Sequence, residues 1–108
     1  MLYTTLLDNT EKHIVFEMDL YWAVVAGQKP ADWFNKYKGR FTHVHVKDHD
    51  PVKNVSVEVG EGDVNFQEIF NKKDVAGIKY FIVELEAYKR TPMEGIEISL
   101  NNLKKLKF

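Results

Sequence analysis

Cysteine is absent from the 108 residues, which excludes disulfides, thiolate zinc sites and cysteine nucleophiles. An excess of either charge is also missing: 15 basic residues stand against 16 acidic ones. Without a basic surplus or a polybasic run, the chain is expected to engage neither nucleic acid nor an anionic membrane surface. No apolar run approaches the roughly 18 residues of a transmembrane helix. The opening MLYTTLLDNTEKH has no basic stretch followed by a long apolar one, so no signal peptide is expected and the expected location is cytoplasmic. Low-complexity segments and long linkers are lacking too, which leaves a single domain over residues 1–108. What is present is a 44% hydrophobic, 13% aromatic composition, enough for a core, though one of modest stability at this length.

One pattern recurs three times: an alternating apolar run, a polar loop and an amphipathic helix. In HIVFEMD (13–19), Ile14, Phe16 and Met18 share one face, and Val15, Glu17 and Asp19 the other. After a loop through Gly27, PADWFNKYK opens with Pro30 in a helical first turn and carries Trp33, Phe34 and Tyr37 at helical spacing, with Gly39 as a C-cap. In FTHVHVKD (41–48), Thr42, Val44 and Val46 face one way and His43, His45 and Lys47 the other. VSVEVGEGD reads as a short strand or an excursion over the site, and NFQEIFNKK as a helix with Phe66, Ile69 and Phe70 inward. In YFIVELE (80–86), Phe81, Val83 and Leu85 oppose Ile82, Glu84 and Glu86. TPME then spells a capping box: Thr91 as N-cap, Pro92 at the first helical position and Glu94 three residues after the cap. The last helix runs through Ile96, Leu100, Leu103 and Leu106, with Lys104, Lys105 and Lys107 at the negative end of its dipole.

Strand–helix alternation with short links predicts an α/β fold of three to four parallel βα units with right-handed crossovers. A (β/α)8 barrel takes eight units and about 250 residues. Three strands leave an inner face and an edge uncovered, a physical reason to expect a homo-oligomer that completes the barrel.

In each strand the polar face ends in a residue with chemistry: Asp19, then His45 with Lys47, then Glu84. Parallel βα architectures bind ligands at the carboxyl ends of their strands. Two carboxylates and an imidazole at neighbouring strand tops suit Mn²⁺, Mg²⁺, Co²⁺ or Zn²⁺, and three ligands leave positions open for a substrate. Blander readings carry comparable weight. Amphipathic strands also build a sheet with one solvated face. His43 and His45 can be a structural hydrogen-bonding pair, and Lys47 with Asp48 an ordinary surface pair. Trp22 and Trp33 are more often core or interface than ligand platforms. The VGEG glycines suit a tight turn but lack the Lys and Ser or Thr of a phosphate loop.

LLDNTEKHIVFEMDLYW, AGQKPADWFNKYKGRFTHVHVKDHD, VEVGEGDVNFQEIF and YFIVELEAY, in this order, resemble the C-terminal half of sugar phosphate isomerases/epimerases of the xylose-isomerase-like TIM-barrel superfamily, over nearly the whole chain from Leu6 to Leu106. The resemblance implies a partial (β/α)8 barrel and a divalent metal held by Glu, Asp, His and Glu. It assigns Asp19, His45 and Glu84 as ligands, Glu84 and Lys47 as catalytic residues, and Lys47, Trp22 and His43 as residues facing a sugar or sugar phosphate. The first glutamate of that set has no counterpart within residues 1–108. Two glutamates flank the substrate in such epimerases and exchange a proton at the carbon next to a carbonyl, so the expectation divides. One branch is a metal-dependent isomerase or epimerase acting as a fragment or with a partner. The other is a half-barrel that self-associates or binds metal or sugar without turnover. A relative of apurinic-site endonucleases is disfavoured by the near-neutral charge and the lack of further ligands.

Overall fold

The computed structural model describes residues 2–86 and 90–107. Ala87 and Tyr88, at the end of the YFIVELEAY stretch, lie outside them. Three strands, β1 (Phe16–Asp19), β2 (Phe41–Val46) and β5 (Tyr80–Val83), form a sheet in that order. Both pairings are parallel. Between β2 and β5, a hairpin of β3 (Asp48–Asp50) and β4 (Val55–Val57) pairs antiparallel. The helices are α1 (Leu2–Asn9), α2 (Leu20–Val25), α3 (Pro30–Lys36), α4 (Phe66–Phe70), α5 (Lys73–Ala76) and α6 (Pro92–Leu103). The chain is thus α/β with the strand arrangement of a partial barrel. No described helix is long and apolar enough to cross a membrane.

The expected core faces are the ones buried. Met18, Val44 and Val46 join Leu20, Phe34, Phe41, Ile69 and Phe70 in one cluster, with Phe16, Phe81 and Val83 packed against it. Each such fully buried side chain contributes roughly 1.5–3 kcal/mol of hydrophobic stabilisation. The opposite sheet face is open: Val15 is 45%, Tyr80 58% and Ile82 41% exposed.

At the amino ends of the strands, buried Arg40 ties the chain together. Its guanidinium donates to Ile14 O (2.9 Å), Leu7 O (3.1 Å) and Thr10 Oγ1 (2.7 Å) and lies over the Phe16 ring. Thr91 caps the last helix as read, its Oγ1 accepting from Glu94 N, and its hydroxyl donates to Glu94 Oε1.

Several boundaries differ from the sequence reading. The first strand begins at Phe16 rather than His13: Phe16 is level with Phe41, where β2 itself begins, and a register shift lies between Phe16 and Glu17. The expected loop after it is helix α2, started by Asp19 itself, whose Oδ1 accepts from Trp22 N. The third strand stops at Val83, so Glu84 projects from just beyond it, held by Glu84 N donating to Val46 O. NFQEIFNKK splits into α4 and α5.

Lys47 and Asp48 do not form a surface pair. Both are buried, and the Asp48 carboxylate serves a different purpose. Oδ1 accepts from His49 N (2.8 Å) and Val64 N (3.0 Å), and Oδ2 from Gly60 N (2.9 Å) and Gly62 N (3.0 Å). A single carboxylate therefore folds the VGEGDV loop around itself. Gly62 is required at that spot, since a Cβ there would lie 2.4 Å from both Asp48 Oδ1 and His49 O. Asp48→Asn would set an amide NH2 against two backbone donors, and each buried N–H left unbonded costs about 1–3 kcal/mol. The expected loss is roughly 3 kcal/mol in urea unfolding, and a change below about 1 kcal/mol would contradict this role.

Candidate metal centre

Parallel register brings the strand tops together. Asp19 is level with His45 across β1 and β2, and His45 is level with Ile82 across β2 and β5. Glu84 follows one pleat above Ile82 on the same face. Of the side chains expected at the site, Asp19, His45 and Glu84 each offer a ligand atom within 4.8 Å of the others. His45 Nδ1 lies 2.6 Å from Glu84 Oε2 and 3.7 Å from Asp19 Oδ2.

Lys47 stands over this cluster, fully buried, with Nζ 3.0 Å from Asp19 Oδ2, 3.8 Å from Glu84 Oε2 and 2.7 Å from Glu86 Oε1. The rings of Tyr21 and Trp22 flank the ammonium at 5.4 and 5.7 Å. Burial works to lower the Lys47 pKa. Hydrogen bonds to Glu86 and Asp19 and the charges of Asp19 and Glu84 outweigh it, so the net shift is upward. Lys47 is a cation at neutral pH, enclosed by carboxylates.

The remaining expected residues sit around the cluster. Trp22, half exposed, is a wall of a cleft of about 390 Å³ that Glu17, Asp19, Ala23 and Trp33 also line. His43 lies one pleat below His45, level with Glu17 and Tyr80. It stacks on the Tyr80 ring at 4.7 Å, and its Nδ1 shares a hydrogen bond with Thr42 Oγ1. Two contacts were not anticipated. Glu86 pairs with Lys47, and Glu17 Oε1 contacts His45 Nε2. Both residues share the alternating polar face with Asp19 or Glu84, the signal that would have found them.

The three residues fit a divalent cation on two grounds. Two carboxylates and an imidazole form the hard-to-borderline donor set such ions take. Glu84 Oε2 is also buried and accepts no hydrogen bond among the described residues, although His45 Nδ1 is beside it. A buried carboxylate oxygen without a hydrogen-bond donor, beside an imidazole nitrogen and a second carboxylate, is one that a cation would satisfy.

Beyond the cluster, His49 pins the hairpin. Its Nε2 bonds Asn54 Oδ1 (2.8 Å) and its Nδ1 bonds Asp63 Oδ1 (2.9 Å), with the Tyr21 ring at its edge. The bonds to Asn54 and Asp63 raise its pKa above the ordinary 6.5, against a smaller lowering by burial. A raised folded pKa gives stability that is fully present below 6.5 and lost as pH rises through the folded value. The melting-temperature advantage of wild type over His49→Gln should hold below pH 6.5 and shrink as pH rises above it. A difference independent of pH would contradict the bonding seen.

No protein-family profile matches the sequence, and no curated protein is similar to it. Solved structures are similar to it. A sugar phosphate isomerase/epimerase from Parabacteroides distasonis aligns with 36% identity and a TM-score of 0.83, over 95% of this chain and 35% of that one. Another sugar phosphate isomerase/epimerase from the same organism aligns with 30% identity and a TM-score of 0.82, over 96% of this chain and 36% of that one. A xylose isomerase-like TIM barrel/4-hydroxyphenylpyruvate dioxygenase fusion protein, at 10% identity and a TM-score of 0.68, shares the fold over 95% of this chain and 18% of its own. The chain thus folds as part of a xylose-isomerase-like barrel and spans about a third of the length of the two isomerases/epimerases.

Proposed function

From this likeness to sugar phosphate isomerases/epimerases, we propose that the chain supplies the metal-binding half of an active site that moves a proton next to a sugar carbonyl. The observation that carries the reading is the convergence of Asp19, His45 and Glu84 at three strand tops. These three would hold the ion. A bound divalent ion polarises the carbonyl and stabilises the charge that develops on its oxygen.

The chain's own groups do the rest. The Glu84 carboxylate takes the proton from the hydroxyl-bearing carbon beside the carbonyl and returns it to the former carbonyl carbon, while the proton of that hydroxyl passes to the former carbonyl oxygen, which completes an isomerisation on one face. Epimerisation adds the proton on the opposite face and so takes a second acid/base, which none of these three supplies. Lys47 holds Asp19 and Glu84 in register and is the cationic donor nearest to a substrate oxygen. Trp22, beside it and half exposed, is the side chain that gives way to admit the sugar. His43, one pleat lower, lines the floor. The substrate is a sugar or sugar phosphate; a sugar phosphate is charged and stays where it is made, which favours a cytoplasmic location. Net charge of −1 favours neither nucleic acid nor a membrane as partner.

Calorimetric titration with Mn²⁺ tests the centre. Wild type is expected to bind saturably, and an Asp19→Ala, His45→Ala, Glu84→Ala chain to lose that binding. A folded wild type that binds no Mn²⁺ would contradict it.

The open sheet face carries a second part of the proposal: two copies associate through it. Val15, Tyr80 and Ile82 there are exposed apolar groups, and their burial would drive the contact. Light scattering at micromolar concentration should give the mass of a dimer. A clean monomer would count against self-association and leave the metal centre untouched.

A further inference from the structure

We infer that Glu17 is the residue that positions His45 for the metal, a role that rests on the reading of the cluster as a metal centre. Glu17 and Asp19 are two apart in β1, so both project onto the open face. Glu17 is level with His43, one pleat below His45, and its Oε1 reaches up to His45 Nε2. The other ring nitrogen is the one turned to the cluster, 2.6 Å from Glu84 Oε2 and 3.7 Å from Asp19 Oδ2.

The two nitrogens of a neutral imidazole do different work: one carries a proton and the other a lone pair. A carboxylate offers only acceptors. Glu84 Oε2 faces Nδ1 just as Glu17 faces Nε2, so the metal-free ring has an acceptor at each nitrogen; once a cation takes Nδ1, the ring proton is left on Nε2, where Glu17 accepts it. Metal-ligating histidines are fixed in this way, by donating the second ring N–H to a carboxylate or carbonyl.

Neighbouring groups are committed elsewhere. Asp19 Oδ1 accepts from Trp22 N, and Asp19 Oδ2 pairs with Lys47. Glu86 also pairs with Lys47, and His43 is stacked on Tyr80. Glu17 is exposed, with 48% of its side chain open to solvent, so replacing it opens no cavity in the core.

The test uses the 108-residue chain with Glu17→Met and Glu17→Gln, each checked for an unchanged far-ultraviolet spectrum and urea midpoint. In nitrogen–proton correlation spectra of wild type loaded with diamagnetic Zn²⁺, His45 should carry its proton on Nε2. Glu17→Met should weaken Mn²⁺ affinity by about 10–100-fold and lose the protected Nε2–H signal to solvent exchange. Glu17→Gln, which keeps an acceptor oxygen, should recover part of both. A Zn²⁺-loaded wild type in which His45 is protonated on Nδ1 would overturn the assignment. So would a Glu17→Met chain that binds Mn²⁺ as tightly as a wild type that binds it. A wild type that binds no Mn²⁺ overturns the metal reading and this inference with it, which separates the two failures.

Discussion

Asp19, His45 and Glu84 are 26 and 39 residues apart along the chain (45 − 19 and 84 − 45), and they meet only because β1, β2 and β5 run parallel in a fixed register. Side chains on a pleated strand alternate faces, so a slip of one residue in either pairing would turn a ligand into the core. The register is held from the other face. Met18, Val44 and Phe81 must point into the apolar cluster, and once they do, Asp19, His45 and Glu84 have no choice of side. Arg40 fixes the amino ends of the strands, and the Asp48 carboxylate fixes the loop that follows β2.

The same constraint concentrates charge. Asp19, Glu84, Glu86 and Glu17 all project onto one face, and Lys47 and His45 are the cationic or proton-donating groups among them. Three carboxylates around one buried ammonium repel one another unless that ammonium stays charged, which their own field ensures. Such a cluster gives little net stability, because desolvation offsets most of its attraction. It does hold oxygens close together and aimed at one point, as a cation site requires. The aromatic pair Tyr21 and Trp22 keeps water from Lys47, which strengthens each of these interactions.

The strand faces, the convergence of Asp19, His45 and Glu84 and the N-cap of the last helix were legible because they follow short local periods: two in strands, three to four in helices. The uncovered sheet face followed from counting strands. Other features depended on partners far away in sequence. Nothing local distinguishes Asp48 from a surface aspartate, since the N–H groups that claim it lie up to 16 residues ahead. Lys47 read as a residue facing the substrate, or as half of a surface pair with Asp48, whereas carboxylates from two segments, Asp19 and Glu84 with Glu86, enclose it. Helix α2 was missed because LYWAVV is rich in aromatic and β-branched residues, while its start signal, Asp19, had already been read as a ligand. It caps the helix with one oxygen and faces the cluster with the other. The Glu17 contact needed the side chain's reach up the pleat, which alternation alone does not give.

X-ray absorption of the cobalt-loaded chain tests most directly whether these strand tops act as one centre. The account predicts a first shell of oxygen and nitrogen with the outer scattering of a single imidazole, lost in His45→Ala. A shell of oxygens alone, or one with two imidazoles, would contradict it.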